Sequence, residues 1–355
     1  MKNTLILTLI LLSACTMHAA VPFESQPIVI GYIGPFTGDA ASFGLIEQHV
    51  MDMLVEDLNK EGGIHGRPIK VIYEDGRCQG KDAVTAANKL IFVDKVKILS
   101  VVCSEENLVV APLAEANKVL QYSAWPTHAD ISHAGDYIFR NGYSDADTAE
   151  VAAKLLQQHD TAGMLYEQTG YPEGIKRTLV ELLPDVVVEG YGVDAVDMRT
   201  QITKLIAQDV GAIFLNPNTP ASGLAALQQI RELGFEGAIY GNYFGGYAAV
   251  KDYPEAKGMQ YVADPLVPDS PLKDQLWQRY EERYGEEPGF EFAAAARYDA
   301  AMILFQALRE VGDDPDKLRD WLYAMPDYTG MLGTYHFDEN GDITGVEPAV
   351  RIVGE

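Results

Sequence analysis

Basic residues, cysteine and long apolar runs are all in short supply in this chain. Lys and Arg together number 27 against 52 Asp and Glu, for a net charge of −25. Such a chain does not bind nucleic acid or an anionic membrane surface through its overall field, and its acidity reads as surface solvation. No apolar run reaches the roughly 20 residues that a membrane-spanning helix needs. Gly-x-Ser-x-Gly and His-Glu-x-x-His are both missing, which removes two common hydrolase signatures. The segment Gly76 to Asp82 imitates a phosphate loop but is one residue short and lacks the Ser/Thr after its lysine. Gly190 to Ala195 imitates a dinucleotide fingerprint, yet the next helix begins only near Met198, too late to receive a phosphate. His128, Asp130 and His133 do not share one helical face and read as a solvated helix start, so no metal is expected. There is no low-complexity segment and no short repeat.

What is present begins with the three cysteines. Cys15 closes Leu12-Ser13-Ala14-Cys15, directly after Lys2 and the apolar stretch Leu5 to Leu12. A basic start, a short apolar core and small residues before a cleavage point make an export signal. Cys78 and Cys103 are then an even pair in an exported chain, which reads as one disulfide; two unpaired thiols are the alternative. Hydrophobic residues make up 47% of a 355-residue chain, enough for globular cores and a prior of about two domains.

From Pro27 onward, period-2 and period-3.6 patterns alternate. Strands are expected at Ile28 to Ile33, Ile69 to Tyr73, Val96 to Val102 and Val119 to Tyr122, with helices at Phe43 to Leu58, Asp82 to Val93 and Glu105 to Asn117. The rhythm repeats from Ala146 to Tyr240, and helices follow at Leu272 to Tyr284, Phe292 to Val311 and Leu318 to Ala324. Two sets of alternating elements predict an α/β fold with two parallel sheets, each covered by helices on both faces. In such sheets a ligand sits beyond the carboxyl ends of the strands, so the residues just after each strand matter most.

Several stretches carry a family resemblance: Ile30 to Gly38, Asn59 to Pro68, Ala134 to Arg140, Tyr166 to Gly174 and Phe337 to Asp342. Together they resemble the leucine/isoleucine/valine-binding proteins, the type I periplasmic solute-binding proteins of branched-chain amino-acid ABC transporters. The run ending at Cys15 resembles a lipoprotein lipobox. The resemblance implies two discontinuous Rossmann-like lobes joined by three hinge crossovers, near Asn141, Asp264 and Gly330. Residues 1–14 would be signal peptide, 15–26 a lipidated tether, 27–141 with 265–329 the first lobe, and 142–264 with 330–355 the second. It also implies a Cys78–Cys103 disulfide, matching the family's own. The expected protein is exported, held at the periplasmic or outer cell surface by lipid on Cys15, without cofactor, and works with an ABC permease and ATPase complex.

For the ligand site, the resemblance assigns a carboxylate to Ser104 and Thr127, Phe43 to the side-chain pocket, and Tyr171 to closure over the ligand. Trp125, in a loop of the cleft, is a candidate wall. Tyr243 stands where branched-chain amino-acid binders usually carry an acid that pairs with the ligand ammonium, and burying an ammonium without a partner is costly. Glu105 or Glu167 would have to substitute; otherwise the ligand is an amine-free carboxylate or amide, such as an aromatic acid. A sensory ligand-binding module is the other use of such a cleft, and an enzyme is disfavoured by the missing motifs.

Overall fold

The computed structural model describes residues 26–354, so Cys15 and the expected signal lie outside the described residues. The first sheet is built from β1 (Ile28–Gly34), α1 (Ala41–Lys60), β2 (Ile69–Asp75), α2 (Gly80–Asn88), β3 (Ile98–Val101), α3 (Ser104–Ala116), β4 (Leu120–Ser123) and β5 (Ile138–Arg140). Its strand order is β2-β1-β3-β4-β5, parallel throughout. The chain then runs through α4 (Asp145–Leu156), β6 (Ala162–Glu167), α5 (Gly170–Leu182), β7 (Val187–Tyr191), α6 (Arg199–Ala207), β8 (Ala212–Asn216) and α7 (Pro220–Glu232). After β9 (Ala238–Gly241), α8 (Ala248–Lys251) and β10 (Gln260–Ala263), the helices α9 (Pro271–Tyr284), α10 (Glu291–Val311) and α11 (Pro315–Tyr323) return to the first sheet. A hairpin of β11 (Tyr328–Gly330) and β12 (Gly333–Tyr335) follows, and β13 (Ala349–Ile352) pairs antiparallel with β10. The second sheet therefore reads β13-β10-β9-β8-β6-β7.

Both sheets are covered on two faces, which is why their central strands are continuous apolar runs: all five residues of β8 are buried. On one face of the first sheet Ile30, Tyr32 and Leu120 meet α1 and α10; on the other Ile33, Leu99 and Val101 meet α2 and α3. The alanines at 293–296 of α10 are fully buried and let it lie close on α1.

A buried ion pair fixes that return of α10. Arg297 Nε donates to Glu47 Oε2 of α1 at 3.0 Å, and Arg297 Nη2 donates to Ser100 Oγ of β3 at 2.6 Å. Tyr32 of β1 also donates to Glu47, and the guanidinium lies 5.1 Å from the Tyr32 ring centroid. Four separate elements thus meet on one charge pair. Cys78, before α2, and Cys103, before α3, are joined in a disulfide with Cα atoms 5.4 Å apart.

The third crossover falls later than Gly330, which corrects the expected boundary. Asp299 of α10 accepts the Met331 and Leu332 N–H groups at 2.7 and 2.9 Å, so the hairpin belongs with the first sheet. Further on, Arg140 of β5, fully buried, donates from Nε and Nη2 to the two carboxylate oxygens of Asp342 at 2.6 and 2.8 Å. Gly341 makes that approach possible: a β-carbon there would lie 2.4 Å from Ile138 O. Only after Val346, still packed in the first core, does the chain reach β13.

Arg297→Ala leaves Glu47 buried without its counter-charge, so unfolding free energy should fall by about 3–5 kcal/mol. Urea denaturation checks this; a change under about 1 kcal/mol would show that the pair does not hold α10 in place.

Candidate functional site

The carboxyl ends of the strands of both sheets face one cavity of about 60 Å³. A single buried water needs about 10–15 Å³, so there is room for a small ligand and not for a polymer. After β3 the cavity meets Val102, Cys103, Ser104 and Glu105; after β4, Trp125, Pro126 and Thr127; after β5, Tyr143. From the second sheet come Thr169, Gly170 and Tyr171 after β6, Asn218 after β8 and Tyr243 after β9, while Phe43 reaches in from α1.

The structure thus brings Phe43, Ser104, Glu105, Trp125, Thr127, Tyr171 and Tyr243 to one place. Glu167 stands apart: it is buried at the end of β6, where its Oε2 accepts the Asn218 N–H at 3.0 Å. Glu105 is also engaged, with Oε1 accepting the Gly80 N–H at 3.1 Å. Its neighbour Glu106 is fully buried and accepts from the Cys78 and Cys103 N–H groups, bracing the disulfide, while burial pushes its carboxyl up to about 8.

Ser104 opens α3 and its first-turn amides have no partner within the helix. Its Oγ accepts the Thr127 and His128 N–H groups at 3.1 and 3.2 Å, so the two candidate carboxylate ligands are linked to each other and the loop after β4 is held over the helix start. The hydroxyl hydrogen of Ser104 remains available to an acceptor. A helix N-terminus carries about half a positive charge, which suits a carboxylate in this corner.

Opposite it stands an aromatic wall. The Tyr171 and Tyr243 rings are 5.2 Å apart, and Trp125 is 6.0 Å from Tyr243 and 5.7 Å from Phe43. Tyr243 OH donates to Asn218 O at 2.7 Å, which orients its ring across the cavity. Burial raises the Tyr171 and Tyr243 hydroxyls well above their ordinary value, so both stay neutral. Sequence reasoning missed Tyr143, Thr169 and Asn218, although each follows a strand end, as Ser104 and Thr127 do.

It also missed two acids behind the wall. Asp264, just after β10, accepts from Tyr143 OH at 2.6 Å, and both Tyr143 and Trp125 favour its charged form. It keeps part of its surface open yet lies deep among side chains, and that desolvation pushes its carboxyl up to about 6. Asp145, fully buried in the first turn of α4, is pushed up to about 7 by burial, with Thr127 and Arg140 pulling the other way.

The lobes meet along one face of α5, at successive turns. A β-carbon on Gly170 would lie 2.8 Å from Glu105 Cβ and 3.0 Å from its Cα and N. On Gly174 it would lie 2.8 Å from His128 Cδ2 of the first lobe, and 2.9 Å from Asp145 Oδ2 of its own. One turn on, Arg177 donates from both terminal nitrogens to the Asp130 carboxylate, Nη1 at 2.7 Å.

Residues 27–351 match the family described as periplasmic binding protein. A Pseudomonas aeruginosa protein named leucine-, isoleucine-, valine-, threonine-, and alanine-binding protein is 26% identical over 340 residues, covering 92% of this chain and 89% of that one. A leucine-binding protein from Thermotoga maritima has a similar structure, with TM-score 0.80 and 21% identity over 92% of this chain and 95% of its own. An ABC-transporter solute-binding protein from R. palustris in complex with benzoate aligns with TM-score 0.77 and 16% identity, over 92% and 93% of the two chains.

Because the Gly170 contact is with backbone atoms, which cannot rotate away, Gly170→Ala should hold the lobes apart while leaving each one folded. Small-angle scattering should give a larger radius of gyration than the parent chain, with an unchanged circular dichroism spectrum. Superimposable scattering curves would contradict the close approach.

Proposed function

The chain belongs to the periplasmic binding protein family, and from that premise we propose that it is the extracytoplasmic solute-binding component of an ABC importer. It captures a small carboxylate-bearing ligand, an amino acid with an apolar side chain, between its two lobes. The closed form is handed to a permease and ATPase complex, and no chemistry is done on the ligand. The observation that carries this reading is the cavity itself. It lies between the strand ends of two sheets, with the hydroxyls of Ser104 and Thr127 and the start of α3 on one side and aromatic rings on the other. Those groups hold a ligand; they do not cleave one. The Pseudomonas aeruginosa relative, by its name, binds leucine, isoleucine, valine, threonine and alanine, which supports an amino acid here.

Export with lipid attachment at Cys15 completes the proposal. Among the described residues no helix is long and apolar enough to cross a membrane. Lipid chains contribute about 0.8 kcal/mol per buried CH₂, so a diacylated Cys15 would keep the protein beside its permease.

Within the cavity, Ser104 and Thr127 take the carboxylate, Phe43 and Trp125 border the side chain, and Tyr171 and Tyr243 close over it. Ser104→Ala and Thr127→Ala should each weaken leucine binding by about 1.5–3 kcal/mol, roughly ten- to a hundredfold. Isothermal calorimetry with purified protein checks this. Unchanged affinity in both variants would remove the carboxylate from this corner.

A further inference from the structure

The contact along α5 brings the lobes together but supplies little to hold them there. It is a fit of two glycines, and its ion pair, Arg177 with Asp130, is about half exposed. A second contact between the lobes lies outside the cavity. The turn after β9, Tyr243–Gly246, is pressed onto β10, where a β-carbon on Gly245 would lie 2.5 Å from Tyr261 Cγ. Two rings leave this turn in different directions. Tyr243 borders the cavity. Tyr247, at the start of α8, crosses to the first lobe and meets Phe290 with ring centroids 4.3 Å apart at 74°. Neither Tyr247 nor Phe290 lines the cavity.

Both ends of this pair rest on fixed parts of their lobes. Phe290 directly precedes α10, two turns ahead of Arg297, whose buried pair with Glu47 anchors that helix. Tyr247 packs against the main core of the first lobe and against a core of the second. The pair also backs the cavity wall from outside. Phe290 lies 5.3 Å from both Trp125 and Phe43, and Tyr247 lies 6.0 Å from Tyr243. The Tyr247 hydroxyl is buried and has no hydrogen-bond partner. A buried hydroxyl without a partner costs free energy, so the ring alone, edge-on to Phe290, gains from this position.

We infer that Tyr247 is a positioning residue for ligand retention: its ring latches onto Phe290 when the lobes close and sets how long the ligand stays, not how fast it enters. The inference rests on the solute-binding reading above and concerns two residues that the ligand does not touch. A ligand enters while the lobes are apart and the two rings are separate. The latch therefore forms after entry and has to break before exit, so its loss falls on the release rate. Because the same rings brace Trp125 and Tyr243, breaking the latch also loosens the wall against which the ligand rests.

Stopped-flow measurement of leucine binding and release in wild type, Tyr247→Phe and Tyr247→Ala tests it. Tyr247→Ala should release leucine about tenfold faster or more, with association within about threefold of wild type. Tyr247→Phe keeps the ring and discards only the unpartnered hydroxyl, so it should release leucine at the wild-type rate or more slowly. A thermal melt shows whether each variant is folded. If Tyr247→Ala is not, Tyr247→Leu, which keeps apolar bulk without the ring, takes its place with the same expectation. Tyr247→Phe releasing as fast as Tyr247→Ala overturns the latch while leaving solute binding intact. So does a loss that falls on association, or release unchanged in both variants. If wild type does not bind leucine, the amino-acid reading fails by itself, and small-angle scattering of the ligand-free chains decides the latch. Tyr247→Ala should then have a larger radius of gyration than Tyr247→Phe, and superimposable curves overturn it.

Discussion

Where α5 meets the first turn of α3, the lobes come close enough that a β-carbon would collide. Gly170 rests on the backbone and Cβ of Glu105, and one turn later Gly174 rests on the His128 ring. That separation sets everything between the sheets. It brings Tyr171, beside the first glycine, to within 5.2 Å of Tyr243, and it turns a cleft into a cavity of small-molecule size. The Arg177–Asp130 pair at the end of the same face is about half exposed, and such pairs are worth little. Closure therefore depends on shape at the glycines, with the ion pair setting register.

Much of the fold was legible in the sequence because its signals are local. The expected helix Phe292 to Val311 is α10 to within one residue, and Leu272 to Tyr284 is α9 likewise. The missed strands are short: β5, β11 and β12 have three residues each, and β10 and β13 four. The misplaced third crossover has a different cause. The segment after Gly330 is held to the first lobe by Asp299 and Arg140, side chains more than 30 and about 200 residues away along the chain, and no local pattern reports such partners.

The site shows the same division. The rule that ligands sit beyond strand ends placed Ser104, Trp125, Thr127, Tyr171 and Tyr243 at one cavity, and applied to β5 and β8 it would also have found Tyr143 and Asn218. Asp145 and Asp264 escaped for a reason of composition. With 52 acidic residues, a carboxylate carries no information in the sequence until its burial is known. Glu105 and Glu167 were nominated as the ligand's acid because they lie beside the expected site, yet both spend a carboxylate oxygen on a backbone amide. Burial, the property that sets Asp145 and Asp264 apart from the surface acids, exists only in three dimensions.

Asp264 shows how lobe angle and cavity shape are linked. Tyr143 belongs to the stretch where the chain first passes between sheets, and Asp264 to the stretch where it returns. Their hydrogen bond ties two crossovers together at 2.6 Å, so rotation of one lobe on the other carries both residues. Trp125 favours the charged form of the same carboxylate, and it packs on Phe43 and neighbours Tyr243 at the cavity. In the proposed function, a ligand that presses on Trp125 would act on the crossovers through one carboxylate, and a lobe angle that suits closure would set the ring where the ligand needs it. Binding and closure are then two readings of one equilibrium, shifted by whatever fits the closed cavity better than the open cleft.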